Sequence, residues 1–215
     1  PLRISKANDA LPEVRLTEIL DAVVQDAETH AKFLNMLSFL EHTGSRKIML
    51  SQMKNPLSES LLQHMAEETR HAFFFKRQAH RFAGSAVEGY TEGNTLALNA
   101  AAFYFARLDA EVSRRVSACV PAPHAPYLAV SLIVEKRACW AYPLYHAALE
   151  RAGIPLSLKS MIAEEDAHLT EMEAQLLALP GADRLDLAAL EDIEAGLFER
   201  LLERIEVSIE NNHGL

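Results

Sequence analysis

Two stretches decide how this chain is read: Met65-Ala-Glu-Glu-Thr-Arg-His71 and Ile162-Ala-Glu-Glu-Asp-Ala-His168. They align without a gap, and each contains Glu-x-x-His, pairing Glu68 with His71 and Glu165 with His168. Residues three apart share a helix face, so a carboxylate oxygen and an imidazole nitrogen from adjacent turns can reach one ion. A single copy says little. With 22 Glu and nine His in 215 residues, chance supplies about one such pair, and a third copy, Glu210 with His213, falls in the C-terminal tail. The first two copies differ from the third by lying on apolar stripes, where an unpaired buried carboxylate costs several kcal/mol.

Working outward, the periodicity is helical almost throughout and no alternating β pattern stands out. Breaks fall at Asn55-Pro56, Gly84 to Gly93, Pro121 to Pro126, Gly153-Ile-Pro155 and Pro180-Gly181. Between them the spacing predicts core helices at about 27–53, 57–83, 127–151 and 158–179, with extra helices at about 94–120 and 187–210. An N-terminal helix from about Val14 runs into or abuts the first core helix. Apolar stripes such as Phe33, Leu37, Leu40, Gly44, Ile48 and Leu158, Ile162, Leu169, Met172, Leu176 mark core-facing sides. The expected fold is all-α and a single domain over residues 1–215. Two similar hairpins form a four-helix bundle, joined by a long crossover that carries its own helix.

Buried carboxylates need facing partners. Glu41 sits in the first stripe between Leu37 and Gly44, and Glu135 in the third between Leu132 and Cys139. Glu41 precedes Asn55 by 14 residues and Glu68 follows it by 13, so both stand ~20 Å from the turn. Glu135 lies 18 residues before Gly153 and Glu165 only 12 after it, a mismatch of ~9 Å. An extended loop from Ala152 to Ser157 and a kink at Pro143 would absorb it. Glu150 is the rival on this helix, out of level in the other sense, and the near-equal spacings within the two hairpins favour Glu135.

Neighbouring residues are read more conservatively. His64, one turn before Glu68, is expected to be a hydrogen-bonded core histidine, with ligation or proton delivery the lesser option. Tyr142 and His146 continue the stripe of Glu135; Tyr142 is a buried, hydrogen-bonded tyrosine or a relay. Phe73 to Phe75 and Phe103-Tyr104-Phe105 read as core, and Glu164 and Asp166 as a solvated face. The competing account of the cluster is metal-free, with the four Glu and two His held in buried salt bridges by Arg70 or Arg137.

Composition narrows the class. Thirty acidic against 21 basic residues give a net charge of −9, and 49% of the chain is apolar, which excludes disordered and fibrous classes. The longest apolar run, Leu96 to Ala106, is too short to span a membrane. The basic pairs Arg46-Lys47, Lys76-Arg77 and Arg114-Arg115 are scattered, which argues against nucleic acid as a partner. Cys119 and Cys139 are expected to be reduced thiols, and Pro1 to Lys6 show no signal-peptide hydrophobic region, so a cytoplasmic setting is expected.

A Glu from each of two helices plus Glu-x-x-His from each of two others resembles the ferritin-like di-iron carboxylate superfamily, over Phe33 to Leu179. The resemblance implies Glu68 and Glu165 as bridging ligands, Glu41 and His71 as terminal ligands of one metal, and Glu135 and His168 of the other. It implies two iron ions, with manganese or a mixed pair as variants. Lacking a Cys-x-x-Cys, and with long extra helices, the chain looks like the superfamily's oxygen-activating enzymes. These oxidise or oxygenate small organic substrates, here expected to be apolar, with electrons from a ferredoxin or flavoprotein reductase. Leu37, Ala72, Phe75, Leu132 and Leu169 are expected to line the substrate cavity. The alternatives are a ferritin- or bacterioferritin-like ferroxidase and a tRNA-modifying di-iron hydroxylase; a homodimer is compatible with each.

Overall fold

The structure of the chain, a computed structural model, describes residues 4–52 and 57–213. The break at Asn55-Pro56, the expected helix end at Met53 and the side chain of His213 lie outside the described residues. Seven helices account for nearly all of the rest: α1 (Ile4–Gln25), α2 (Ala27–Gln52), α3 (Glu59–Ala83), α4 (Leu98–Cys119), α5 (Ala125–Arg151), α6 (Lys159–Leu177) and α7 (Leu187–His213). No strand occurs among the described residues, so the fold is all-α. The N-terminal helix starts at Ile4 rather than Val14, and its boundary with α2 is Asp26, whose Oδ2 accepts the Thr29 N–H at 2.7 Å. Ser58 caps α3 in the same way, accepting from Leu61 N at 3.1 Å.

Two hairpins organise the chain. In the first, Ser38 Oγ of α2 donates to the Ala72 carbonyl of α3 at 2.7 Å, and Gly44 lies beside Glu68, so the helices run antiparallel. In the second, α5 stays helical through Pro143 to Arg151. It ends where Gly153 takes φ 68° and Ile154 N–H bonds back to the Leu149 carbonyl at 2.9 Å. The connection before Lys159 carries no regular helix, so the unequal arms before and after it are levelled as a loop of this length allows. The hairpins face each other: Tyr145 of α5 meets Phe33 and His30 of α2, and α3 lies against α6.

The extra helices wrap this core. α4 packs on α5 and α7, and α1 on α5, α2 and α7, through Leu16, Leu20 and Val23 from α1 and Leu201, Leu202 and Ile205 from α7. Each such aliphatic side chain contributes roughly 1.5–3 kcal/mol by leaving water. α7 therefore covers α4, α1 and the adjoining side of α5. In the connection before it, Gly181 (φ 89°) approaches α4 so closely that a Cβ would stand 3.0 Å from the Cys119 carbonyl oxygen. Cys119 and Cys139 are free thiols. No helix among the described residues is long and apolar enough to cross a membrane.

Candidate metal centre

Glu41, Glu68, His71, Glu135, Glu165 and His168 come from four helices and meet between the hairpins, where they form two groups that can each hold a metal ion. One group is Glu41, Glu68, His71 and Glu165; the other is His64, Glu68, Glu135 and His168. Glu68 belongs to both. Glu165 reaches both as well, with Oε1 3.1 Å from His71 Nδ1 and Oε2 3.5 Å from His168 Nδ1. Glu135 Oε1 lies 3.3 Å from His64 Nε2 and 3.9 Å from His168 Nδ1.

These spacings fit an ion. Donor atoms sharing a cation at bond lengths of about 2.1 Å stand roughly 3 to 4 Å apart along the edges of the coordination polyhedron. Four buried atoms here have no hydrogen-bond partner: Glu68 Oε1, His64 Nε2, His71 Nδ1 and His168 Nδ1. All four point into the same volume. Buried polar atoms are almost always satisfied, so a cluster of unsatisfied ones is the arrangement that a bound ion could complete.

The far side of each motif imidazole is anchored. His71 Nε2 meets Glu164 Oε2 at 2.7 Å, and His168 Nε2 meets Glu67 Oε2 at 2.8 Å. The arrangement is reciprocal, because the Glu preceding the motif carboxylate on α3 serves the histidine of α6 and vice versa. A carboxylate there makes the imidazole a stronger donor through its free nitrogen and fixes its orientation. Glu164 was expected on a solvated face. It is partly exposed, yet its oxygen turns inward to His71, while Arg70 closes over it at 2.7 Å. Glu67 was missed as well, although the doubled Glu-Glu of both repeats marked the two positions.

The electrostatics show what the cluster does without a cation. Burial, then the charges of Glu68 and Glu165, push the Glu41 carboxyl well above the ordinary carboxylate range. Burial with Glu165 and Glu68 does the same to Glu135. Burial would also raise Glu165, but contact with His168 and His71 holds it well below. Burial alone would lower His71, whereas Glu165, Glu41 and Glu68 push it up to about 10. The crowded, buried charge thus raises Glu41 and Glu135, while at Glu165 it is met by the two imidazoles.

The remaining candidates separate clearly. Glu150 is an exposed residue near the end of α5, 3.3 Å from His146 Nε2, and neither belongs to the cluster. Tyr142 Oη donates to Glu41 Oε1, and burial beside Glu41 raises its pKa well above the usual phenol value. Neither arginine of the metal-free account reaches the cluster. Arg70 lies outside it on Glu164, and Arg137 is committed to Glu194 of α7. Of the aromatic runs, Phe75, Tyr104 and Phe105 are buried as expected, but Phe73 and Phe103 point to solvent.

Of the cavities that adjoin the cluster, two exceed 100 Å³. An apolar one of about 120 Å³ touches Glu41, Glu68, Glu135 and Glu165. Its walls come from α1, α2, α4, α5 and α7, including Leu16, Met36, Phe105, Ala141 and Leu201. Of the five residues expected to line it, only Leu37 does; Ala72, Phe75, Leu132 and Leu169 do not. Stripe position gives the side of a helix, but the three wrapping helices decide where space remains. The other cavity, about 330 Å³ and more polar, is bordered by Ser58, His64, Tyr127, Glu171 and Gln175. Set against protein-family models, curated proteins and solved structures, the chain has no match.

Proposed function

We propose that this chain is a ferritin-like di-iron carboxylate oxidoreductase that activates dioxygen to oxidise or oxygenate a small apolar organic substrate. The observation that carries the reading is the convergence of four unpartnered buried donor atoms from Glu68, His64, His71 and His168, with Glu41, Glu135 and Glu165 around them. Four carboxylates balance two divalent cations, and an oxygen-rich donor set suits iron or manganese. In oxygenation, the substrate C–H and dioxygen, with two electrons and two protons, give the hydroxylated product and water. The chemistry that bound iron supplies is transfer of those electrons to dioxygen; a ferredoxin or flavoprotein donor restores them.

The residues have distinct tasks. Glu68 and Glu165 would hold both ions, Glu41 and His71 would complete one position, and Glu135 and His168 the other. Glu164 and Glu67 keep the two imidazoles aimed. Tyr142 stays protonated and donates to Glu41, fixing that carboxylate at the cavity wall. The apolar walls keep water out and seat the substrate beside the carboxylates. A cavity of roughly 150 Å³ lined by aliphatic and aromatic groups holds benzene, which sets the scale for the substrate group admitted here. The same walls favour an organic substrate over mineral iron, and the acidic surface disfavours RNA.

Anaerobic reconstitution with ferrous iron, desalting and elemental analysis test the reading. Two ions per chain are expected for the wild type and none retained by Glu68→Ala, with reductant-dependent dioxygen uptake only in the loaded wild type. A wild-type chain that retains no metal would refute the proposal.

A further inference from the structure

We infer that His64 is a third imidazole ligand and that the two metal positions are therefore unequal, the one beside His168 selecting the ion with the stronger preference for nitrogen. The inference rests on the di-metal reading above. His64 is 3% exposed and its Nε2 has no hydrogen-bond partner. That nitrogen lies 3.3 Å from Glu135 Oε1 and 3.5 Å from Glu68 Oε1, and the ring sits 4.1 Å from that of His168. These are the spacings of ligands around one ion, as for the motif histidines.

All three imidazoles follow one plan. Each has one nitrogen tied outward and the other left free toward the cluster. His71 is tied to Glu164, His168 to Glu67, and His64 through Nδ1 to Tyr127 Oη at 3.1 Å. A lone pair on Nε2 requires the proton on Nδ1, where Tyr127 accepts it. The contrast is His30, also buried with a free Nδ1, which packs against Phe82 and Tyr145 with no carboxylate contact. His30 too has one nitrogen tied to a tyrosine, Nε2 to Tyr145 Oη at 2.6 Å, so what sets His64 apart is the two carboxylate oxygens beside its free nitrogen.

The consequence is chemical. One position offers three carboxylates and one imidazole, from Glu41, Glu68, Glu165 and His71. The other offers two imidazoles, from His64 and His168, with Glu68, Glu135 and the second oxygen of Glu165, so the positions differ by one imidazole. Imidazole-rich sites follow the rise in affinity from manganese through iron to cobalt more steeply than carboxylate sites do. A limiting supply of metal fills the His64 position first, and a mixture of iron and manganese sorts with iron there.

The test uses cobalt and needs no turnover. Wild-type protein given one equivalent of cobalt(II) without oxygen is expected to show two imidazoles per metal by X-ray absorption; one would overturn the inference. His64→Gln is expected to weaken one of the two ions by more than about tenfold and leave the other unchanged, while Tyr127→Phe, which removes only the outer partner, weakens it by about tenfold. His146→Gln should change neither. If His64→Gln keeps both ions at wild-type affinity, or folds but loses both, the inference fails while the di-metal reading stands. If wild-type protein binds no ion, both fail. Should His64→Gln not fold, the imidazole count on the wild type decides.

Discussion

The molecule buries carboxylates in two places and treats them oppositely. Between α4, α5 and α7, Glu194 accepts Arg137 Nε at 2.8 Å and Tyr104 Oη at 2.7 Å, and takes a second bond from Arg137 Nη2. The guanidinium also lies over the rings of Trp140 and Phe198, 4.8 and 4.1 Å from their centroids. Between the hairpins, four carboxylates and three imidazoles leave four inward-facing atoms without partners. Burial is similar; completeness is not. A structural ion pair satisfies its own donors and acceptors, whereas a site built for a ligand leaves them open at a cost in stability that the ligand removes.

That difference gives opposite signs on substitution. Arg137→Leu leaves the Glu194 carboxylate buried without its cation and with Tyr104 as its remaining partner, and is expected to cost about 3–5 kcal/mol in urea unfolding, much of it recovered in the double variant with Glu194→Leu. Glu135→Leu in metal-free protein removes a carboxyl that burial already disfavours, and is expected to be neutral or stabilising while abolishing metal retention. If Glu135→Leu cost as much as Arg137→Leu, the two regions would be alike and the cluster would be structural.

A third buried polar group sharpens the comparison by pH. Burial lowers His30 to about 4, against an ordinary value of 6.5. The unfolded chain binds the proton first, so stability is complete above pH 6.5 and falls as pH drops toward 4, by about 3 kcal/mol at the extreme. His30→Gln should flatten that part of the pH profile of chemical denaturation; an unchanged slope would assign it to other groups. The smallest effect concerns space. Gly44 lies mid-helix beside Glu68, and a Cβ there would meet Glu68 Oε2 at an ordinary 3.6 Å. Gly44→Ala is therefore expected to stabilise the metal-free protein by roughly 0.5–1 kcal/mol. A lower melting temperature would show that the helix needs the glycine.

Much of this was legible in the chain. The doubled motif placed Glu68, His71, Glu165 and His168 on core faces, and stripe position found Glu41 and Glu135, because helical periodicity fixes which residues share a side. Glu135 over Glu150 was a closer matter of levels along the hairpin; the structure brings Glu135 into the cluster and leaves Glu150 exposed beside His146. What escaped was set between helices. Glu67 and Glu164 sit off the stripes and turn inward only because α3 and α6 lie side by side. His64 reads as an ordinary core histidine until His168 and Glu135 arrive beside it from other helices.

The sequence by itself determined that the chain is helical, where its hairpins turn, and that two Glu-x-x-His pairs and two further glutamates face inward, since these follow from a 3.6-residue period and local caps. Only the tertiary structure decided which helix faces meet. It gave Arg137 to Glu194 instead of the cluster, brought His64 into the second group of donors, and left the apolar cavity under α1, α4 and α7. Those outcomes depend on the packing of helices far apart in the chain, which no local pattern encodes.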